Sequence, residues 1–175
     1  MGCIALPGID IPGGVTYFGA FSFRGCASLT GISLPAGITA IKQNLFTDCA
    51  SLQNITIPAG VTSIDYGAFE NCASLQEIII PEGVVSLGAG TFTGCSQLRT
   101  ITLPKGLTSL GYSDTFKDCA SLVSINIPDG ITEIGSNTFE NCASLESLIL
   151  PQGLSEIGGS AFAGCVGLKS LTIPA

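Results

Sequence analysis

Apolar residues recur along the chain in a fixed order. Counting from a cysteine, leucine stands three places on, isoleucine or leucine at six and eight, then Pro-x-Gly, an aliphatic residue, another aliphatic residue, and a phenylalanine before the next cysteine. The spacing between cysteines is 23 residues throughout, except for 24 between Cys95 and Cys119. Written as a consensus, the unit is C-x-x-L-x-x-I-x-I-P-x-G-V-T-x-I-G-x-x-x-F-x-G, the last position being Gly, Asp or Asn. A period of this length marks a repeat array. Within each unit the stretch L-x-x-I-x-I, as in Leu52, Ile55 and Ile57, ends in period-2 alternation of β-branched residues, which predicts a short strand with one face buried. Pro58-Ala59-Gly60 then predicts a type I turn with proline second and glycine fourth. Gly60 to Ile64 predicts a second extended piece, followed by an irregular or single-turn helical stretch that ends at the recurrent Phe23, Phe46, Phe69, Phe92, Phe116, Phe139 and Phe162. The residue before each following cysteine is Gly25, Asp48, Asn71, Gly94, Asp118, Asn141 or Gly164, all tolerant of left-handed backbone, so a tight corner is expected there.

One such unit cannot bury its own apolar residues, whereas stacked units can, each side chain meeting its counterpart in the next. The expected architecture is therefore a mainly β repeat solenoid over residues 1–175, about seven and a half 23-residue repeats in a single domain without separate caps. The extra residue in GYSDTF, Gly111 to Phe116, falls in the variable stretch and should bulge outward without breaking the core. Terminal coils without caps would expose apolar edges, Cys3, Leu6, Ile9 and Ile11 at one end and Leu168, Leu171 and Ile173 at the other, so weak end-to-end self-association is expected.

The cysteines call for a chemical reading, since CASL occurs five times and all eight cysteines begin a related phrase. A cysteine at one inward position of every coil forms a ladder of small buried hydrophobes. Disulfides between neighbouring rungs are the second reading, although parallel side chains about 4.8 Å apart hold the Cβ atoms slightly too far from each other. Zinc needs four sulfurs converging on one point, not a row, and no C-x-x-C pair is present. A cysteine nucleophile lacks an activating base, because the chain has no histidine. Glu133 and Glu156 share a column in adjacent coils at a spacing compatible with paired carboxylates, but they lie on an open flank. No enzyme activity, cofactor or metal site is expected.

Net charge of -7 would repel phosphate backbones and anionic lipid, so nucleic acid is not an expected partner. No apolar run reaches the roughly 20 residues of a bilayer span, and the N-terminus lacks the basic start of a secretory signal. Acylation at Gly2 and Cys3 is disfavoured by Leu6, where that motif takes Ser or Thr.

The phrase IPAGVTSIDYGAFENCASLQEI, Ile57 to Ile78, resembles the BspA-like leucine-rich repeats of microbial cell-surface proteins, and the likeness runs over essentially the whole chain. The resemblance implies a curved leucine-rich-repeat solenoid, with a parallel strand ladder on its concave face and irregular or short helical turns on its convex side. It also implies adhesion or recognition of proteins, often on a host surface or in extracellular matrix, and a cell-surface or secreted location.

Function is expected in columns that vary and face solvent. On the strand these are the fourth, fifth and seventh positions after cysteine, which mix amides, hydroxyls, single charges and two isoleucines. A protein or glycan partner held against the concave face is expected to touch Gln53, Gln76, Glu77, Ile79, Arg99, Thr102, Asn126, Glu146 and Ile149, with Arg99 as the charged anchor. The turn column, such as Lys105, is expected to be silent. The alternative is a structural or engineered repeat segment of a longer array with no ligand of its own.

Overall fold

The structure, a computed structural model, describes residues 3–172. Gly2, Ile173, Pro174 and Ala175, on which the acylation reading and the last strand end fall, lie outside the described residues. The strands, numbered in chain order, form two parallel ladders on different sides of the coil. Three-residue strands β1 (Gly31–Ser33), β3 (Asn54–Thr56), β5 (Glu77–Ile79), β6 (Thr100–Thr102), β8 (Ser147–Ile149) and β10 (Ser170–Thr172) make the first. Two-residue strands β2 (Ala40–Ile41), β4 (Ser63–Ile64), β7 (Glu133–Ile134) and β9 (Glu156–Ile157) make the second, joined by single bridges at Ile64–Leu87, Ser86–Ser109 and Ser113–Ser136. Every register pairs a residue with its counterpart one repeat away, as in Ile32 with Ile55 and Ile134 with Ile157. The chain is thus a parallel-strand leucine-rich-repeat solenoid.

The Pro-x-Gly turn that separates the two ladders differs by one place from the sequence expectation. Backbone N–H groups of Ile38, Val61, Val84, Leu107 and Ile131 donate to the carbonyls of Pro35, Pro58, Pro81, Pro104 and Pro128, so proline opens the turn. Lacking an N–H, proline ends the strand ladder without orphaning a donor, and its carbonyl closes the turn. The glycine there does not take positive φ, in keeping with type I geometry.

The variable stretch holds no helix among the described residues; it is a series of tight turns. Two left-handed corners recur in each coil. One is the expected column, Gly25, Asp48, Asn71, Gly94, Asp118, Asn141 and Gly164. The other, two places before phenylalanine, was not anticipated: Phe21, Asn44, Gly67, Gly90, Asp114, Asn137 and Ser160. These corners turn alternate N–H groups toward the next coil, so that Asn44, Phe46 and Asp48 donate to the carbonyls of Tyr66, Ala68 and Glu70 at 2.9 Å. Asparagine and aspartate in the corner columns add a side-chain rung, Asn71 to Asp48 at 2.9 Å and Asn141 to Asp118 at 2.7 Å.

The core lies between these three sides. Phenylalanine rings from Phe23 to Phe162 stack in one file, with centroids 5.5–5.7 Å apart and near-parallel planes. The file crosses the 24-residue interval intact, Phe92 on Phe116 at 5.7 Å, so the inserted residue does bulge outward. Threonines beside the file are also interior: Thr91 is fully buried and donates to Gly88 O at 2.6 Å.

Candidate binding face

The thiols belong to the core. Cys26, Cys49, Cys72, Cys95, Cys119 and Cys142 are buried, Cys165 is half-buried and Cys3 is exposed, all as free thiols. The expectation of eight buried thiols fails at Cys3 and Cys165, which lie in the first and last described coils and have stacked neighbours on one side only. From Cys49 to Cys165, each sulfur donates to the carbonyl of a phenylalanine in the preceding coil, Phe23 through Phe139, at 3.0–3.2 Å. Burial pushes Cys49 and Cys95 from 9.0 to about 12 and holds Cys72 and Cys119 well above their ordinary range, with neighbouring thiols along the row adding to the rise for Cys49, Cys72 and Cys119. A protonated, hydrogen-bonded, solvent-shielded thiol is a poor nucleophile and a poor metal ligand. Among the described residues, no group of three or more His, Cys, Asp or Glu is placed to hold a metal ion. No helix among them is long and apolar enough to cross a membrane.

Solvent-facing chemistry is carried by the first ladder. Gln53, Gln76, Glu77, Ile79, Arg99, Thr102, Asn126, Glu146 and Ile149 are all exposed, Ile79 at 69% and Ile149 at 70%. Strand alternation places them there: the residue between two exposed positions, such as Ile78 or Ile101, points into the core. The structure does not gather the nine into one patch. Glu77 and Ile79 lie opposite Thr100 and Thr102 on the β5–β6 pair, with Gln76 and Arg99 just before those strands. Arg99 makes no ion pair among the described residues, whereas Glu146 is held by Lys169 at 3.4 Å. Asn126 sits in the one coil between β6 and β8 whose strand is irregular, and Ile149 belongs to the separate β8–β10 pair.

Between β3 and β5 the ladder is interrupted, since these strands lie side by side without pairing. A groove of about 520 Å³ opens there, lined by Ile55, Ile57, Ile79 and Pro81, with Asn54, Thr56, Glu77 and Glu82 also lining it. A smaller groove of about 350 Å³ continues past Thr56 and Ala59 to Ser33, Leu34 and Ala36. Of the nine residues expected to meet a partner, Glu77 and Ile79 line this groove; Asn54, Thr56 and Glu82, outside that expectation, line it as well. Asn54 and Thr56 stand in the variable strand columns, and Glu82 in the turn column, which in this coil borders the groove.

The profile of the BspA type leucine rich repeat region matches residues 1–113 and 62–175, in 6 copies. The chain belongs to the BspA-type leucine-rich repeat family. Among solved structures, this BspA-type chain is similar to a leucine-rich repeat protein from Bacteroides ovatus ATCC 8483, at 32% identity and a TM-score of 0.90 over 95% of this chain and 45% of that one. It is similar to the Treponema pallidum leucine-rich repeat protein at 32% identity and a TM-score of 0.85, over 93% of this chain and 78% of the other. A leucine-rich cell surface protein from Faecalibacterium prausnitzii A2-165 matches at 28% identity and a TM-score of 0.67, over 99% of this chain and 61% of that protein. The chain therefore spans about half the length of its Bacteroides relative. No curated protein matches the chain.

Proposed function

We propose that this solenoid is a non-catalytic recognition module at a cell surface, holding a protein partner, host or extracellular-matrix in origin, against its three-residue-strand face. The observation that carries this reading is the groove between β3 and β5, where Ile79 stands 69% exposed with Asn54, Thr56 and Glu77 around it. An exposed β-branched residue at a concavity, ringed by polar groups, has the make-up of an interface core with its rim. Arg99, one coil on and free of ion pairs, supplies a cation that a partner's carboxylate could neutralise. The cell surface description of the Faecalibacterium relative supports the location.

The test is surface plasmon resonance of the 175-residue chain against purified extracellular-matrix and epithelial surface proteins. A partner that binds should lose about tenfold or more in affinity with Ile79→Asp, lose several-fold with Arg99→Glu, and ignore Lys105→Ala. Binding that survives Ile79→Asp, or that no surface protein shows, rejects this face as the site.

A further inference from the structure

The two-residue-strand flank carries a second concavity, unlike the first in chemistry. A groove of about 530 Å³ lies where the one irregular interval of the repeat falls, and it draws residues from four successive coils. Leu87 and Phe92 are separated by four residues, whereas Leu110 and Phe116 are separated by five. The added length is taken up at Gly111, whose φ of +81 turns the chain outward and leaves Tyr112 72% exposed. Across the groove stands Tyr66, 47% exposed. Gly88 and Gly111 line it without side chains, and at Gly88 a Cβ would strike the Tyr66 backbone.

Polar groups converge on the same space. Ser109 Oγ accepts from Gly111 N at 3.1 Å, which orients the hydroxyl and leaves its proton free to donate. Ser86, Thr132 and Glu133 line the groove and have no side-chain partner among the described residues, and neither tyrosine hydroxyl has one. Among the described residues, no lysine or arginine borders it. Two flat aromatic faces, several hydroxyls that both donate and accept, one carboxylate and no cation define a ligand with apolar ring faces, a hydroxylated edge and no negative charge. The volume lies inside the range of about 300–1,000 Å³ usual for small-ligand sites and exceeds what an ion needs.

We propose that this flank groove is a binding site for neutral oligosaccharide, separate from the protein-binding face. A pyranose ring stacks its C–H face on Tyr112 or Tyr66, Glu133 accepts from sugar hydroxyls, and Ser86, Ser109 and Thr132 complete the hydrogen bonds. The bulged interval sets Tyr112 outward at the edge of this groove.

Calorimetry and saturation-transfer NMR of the 175-residue chain with cellotetraose, mannotetraose, chitotetraose and the anionic tetragalacturonate test it. At least one neutral tetrasaccharide should bind in the micromolar to millimolar range, with transfer to ring C–H protons, and tetragalacturonate about tenfold more weakly or not at all. Tyr112→Ala should reduce affinity about tenfold and Glu133→Gln several-fold, with the far-UV spectrum unchanged because both side chains are exposed. Ile79→Asp should leave sugar binding untouched, which separates this site from the protein-binding face. Failure of all three neutral sugars to bind, preference for the anionic one, or binding that persists in both Tyr112→Ala and Tyr66→Ser overturns the proposal.

Discussion

At the scale of single residues, files of like side chains set the interior. Phe92 is fully buried between Phe69 and Phe116, so Phe92→Ala removes two ring stackings and leaves a cavity that flanking coils cannot fill. A loss of about 3–5 kcal/mol is expected, read as a lower urea midpoint at unchanged slope. Thr91→Val keeps the volume but deletes the bond to Gly88 O, and should cost about 1 kcal/mol. The thiols give a pH signature. Burial raises Cys95 from 9.0 to about 12, so the folded chain holds this proton where the unfolded chain has lost it. Its contribution to stability is complete below pH 9 and fades as pH rises from 9 toward 12, by up to about 1.4 kcal/mol per pH unit. Urea midpoints measured from pH 8 to 11 should hold up to about pH 9 and then fall, and a Cys95→Ala protein should show a shallower decline. In native protein at neutral pH, a thiol reagent should modify Cys3 at once and Cys165 slowly, while the six buried thiols wait for denaturant.

At the scale of elements, coils meet so closely on the second flank that one column accepts no side chain in its later members. A Cβ on Gly88, Gly135 or Gly158 would fall on the backbone of the preceding coil at Tyr66, Tyr112 or Ser136. Gly88→Ala should therefore destabilise by about 2 kcal/mol or more, whereas Gly106→Ala, with nothing within 4 Å and no positive φ, should be neutral or slightly stabilising. Thermal unfolding of the pair checks the contrast. In earlier coils the same column holds Lys42 and Asp65, whose side chains face each other at 3.6 Å while the backbones also bond, Asp65 N–H donating to Ile41 O at 2.9 Å. The β7–β9 pair sets Glu133 opposite Glu156, like charges in register that oppose each other. Glu156→Lys should raise stability by about 0.5 kcal/mol, an effect that high salt abolishes.

At the scale of the molecule, stability is a sum of coils and nearest-neighbour interfaces, so burial falls where a coil has one neighbour instead of two. Leu98 is fully buried and its counterpart Leu168 half-buried, while Leu171 is 38% exposed. Amide exchange of the 175-residue chain should show the strongest protection from Leu52 to Leu145 and faster exchange from Leu154 onward. Uniform protection from Leu29 to Leu171 would contradict nearest-neighbour stacking as the source of stability.

The repeat unit, its inward columns, the left-handed corner before cysteine and the outward bulge at Gly111 and Tyr112 were all legible in the order of residues, because stacking demands the same side chain at the same place in every coil. Periodicity made that demand visible. The second left-handed corner had a signal in the sequence, since Asn44, Gly67, Gly90, Asp114 and Asn137 all tolerate that backbone, but Phe21 and Ser160 in the same column obscure it. Proline's place in the turn was misread by one because residue type constrains φ but does not say which carbonyl closes the turn. Only the tertiary structure decided where coils part. Whether β3 pairs with β5, and whether Tyr66 and Tyr112 face one space, depends on angles between coils summed over many weak contacts, and no single position in the repeat encodes those angles.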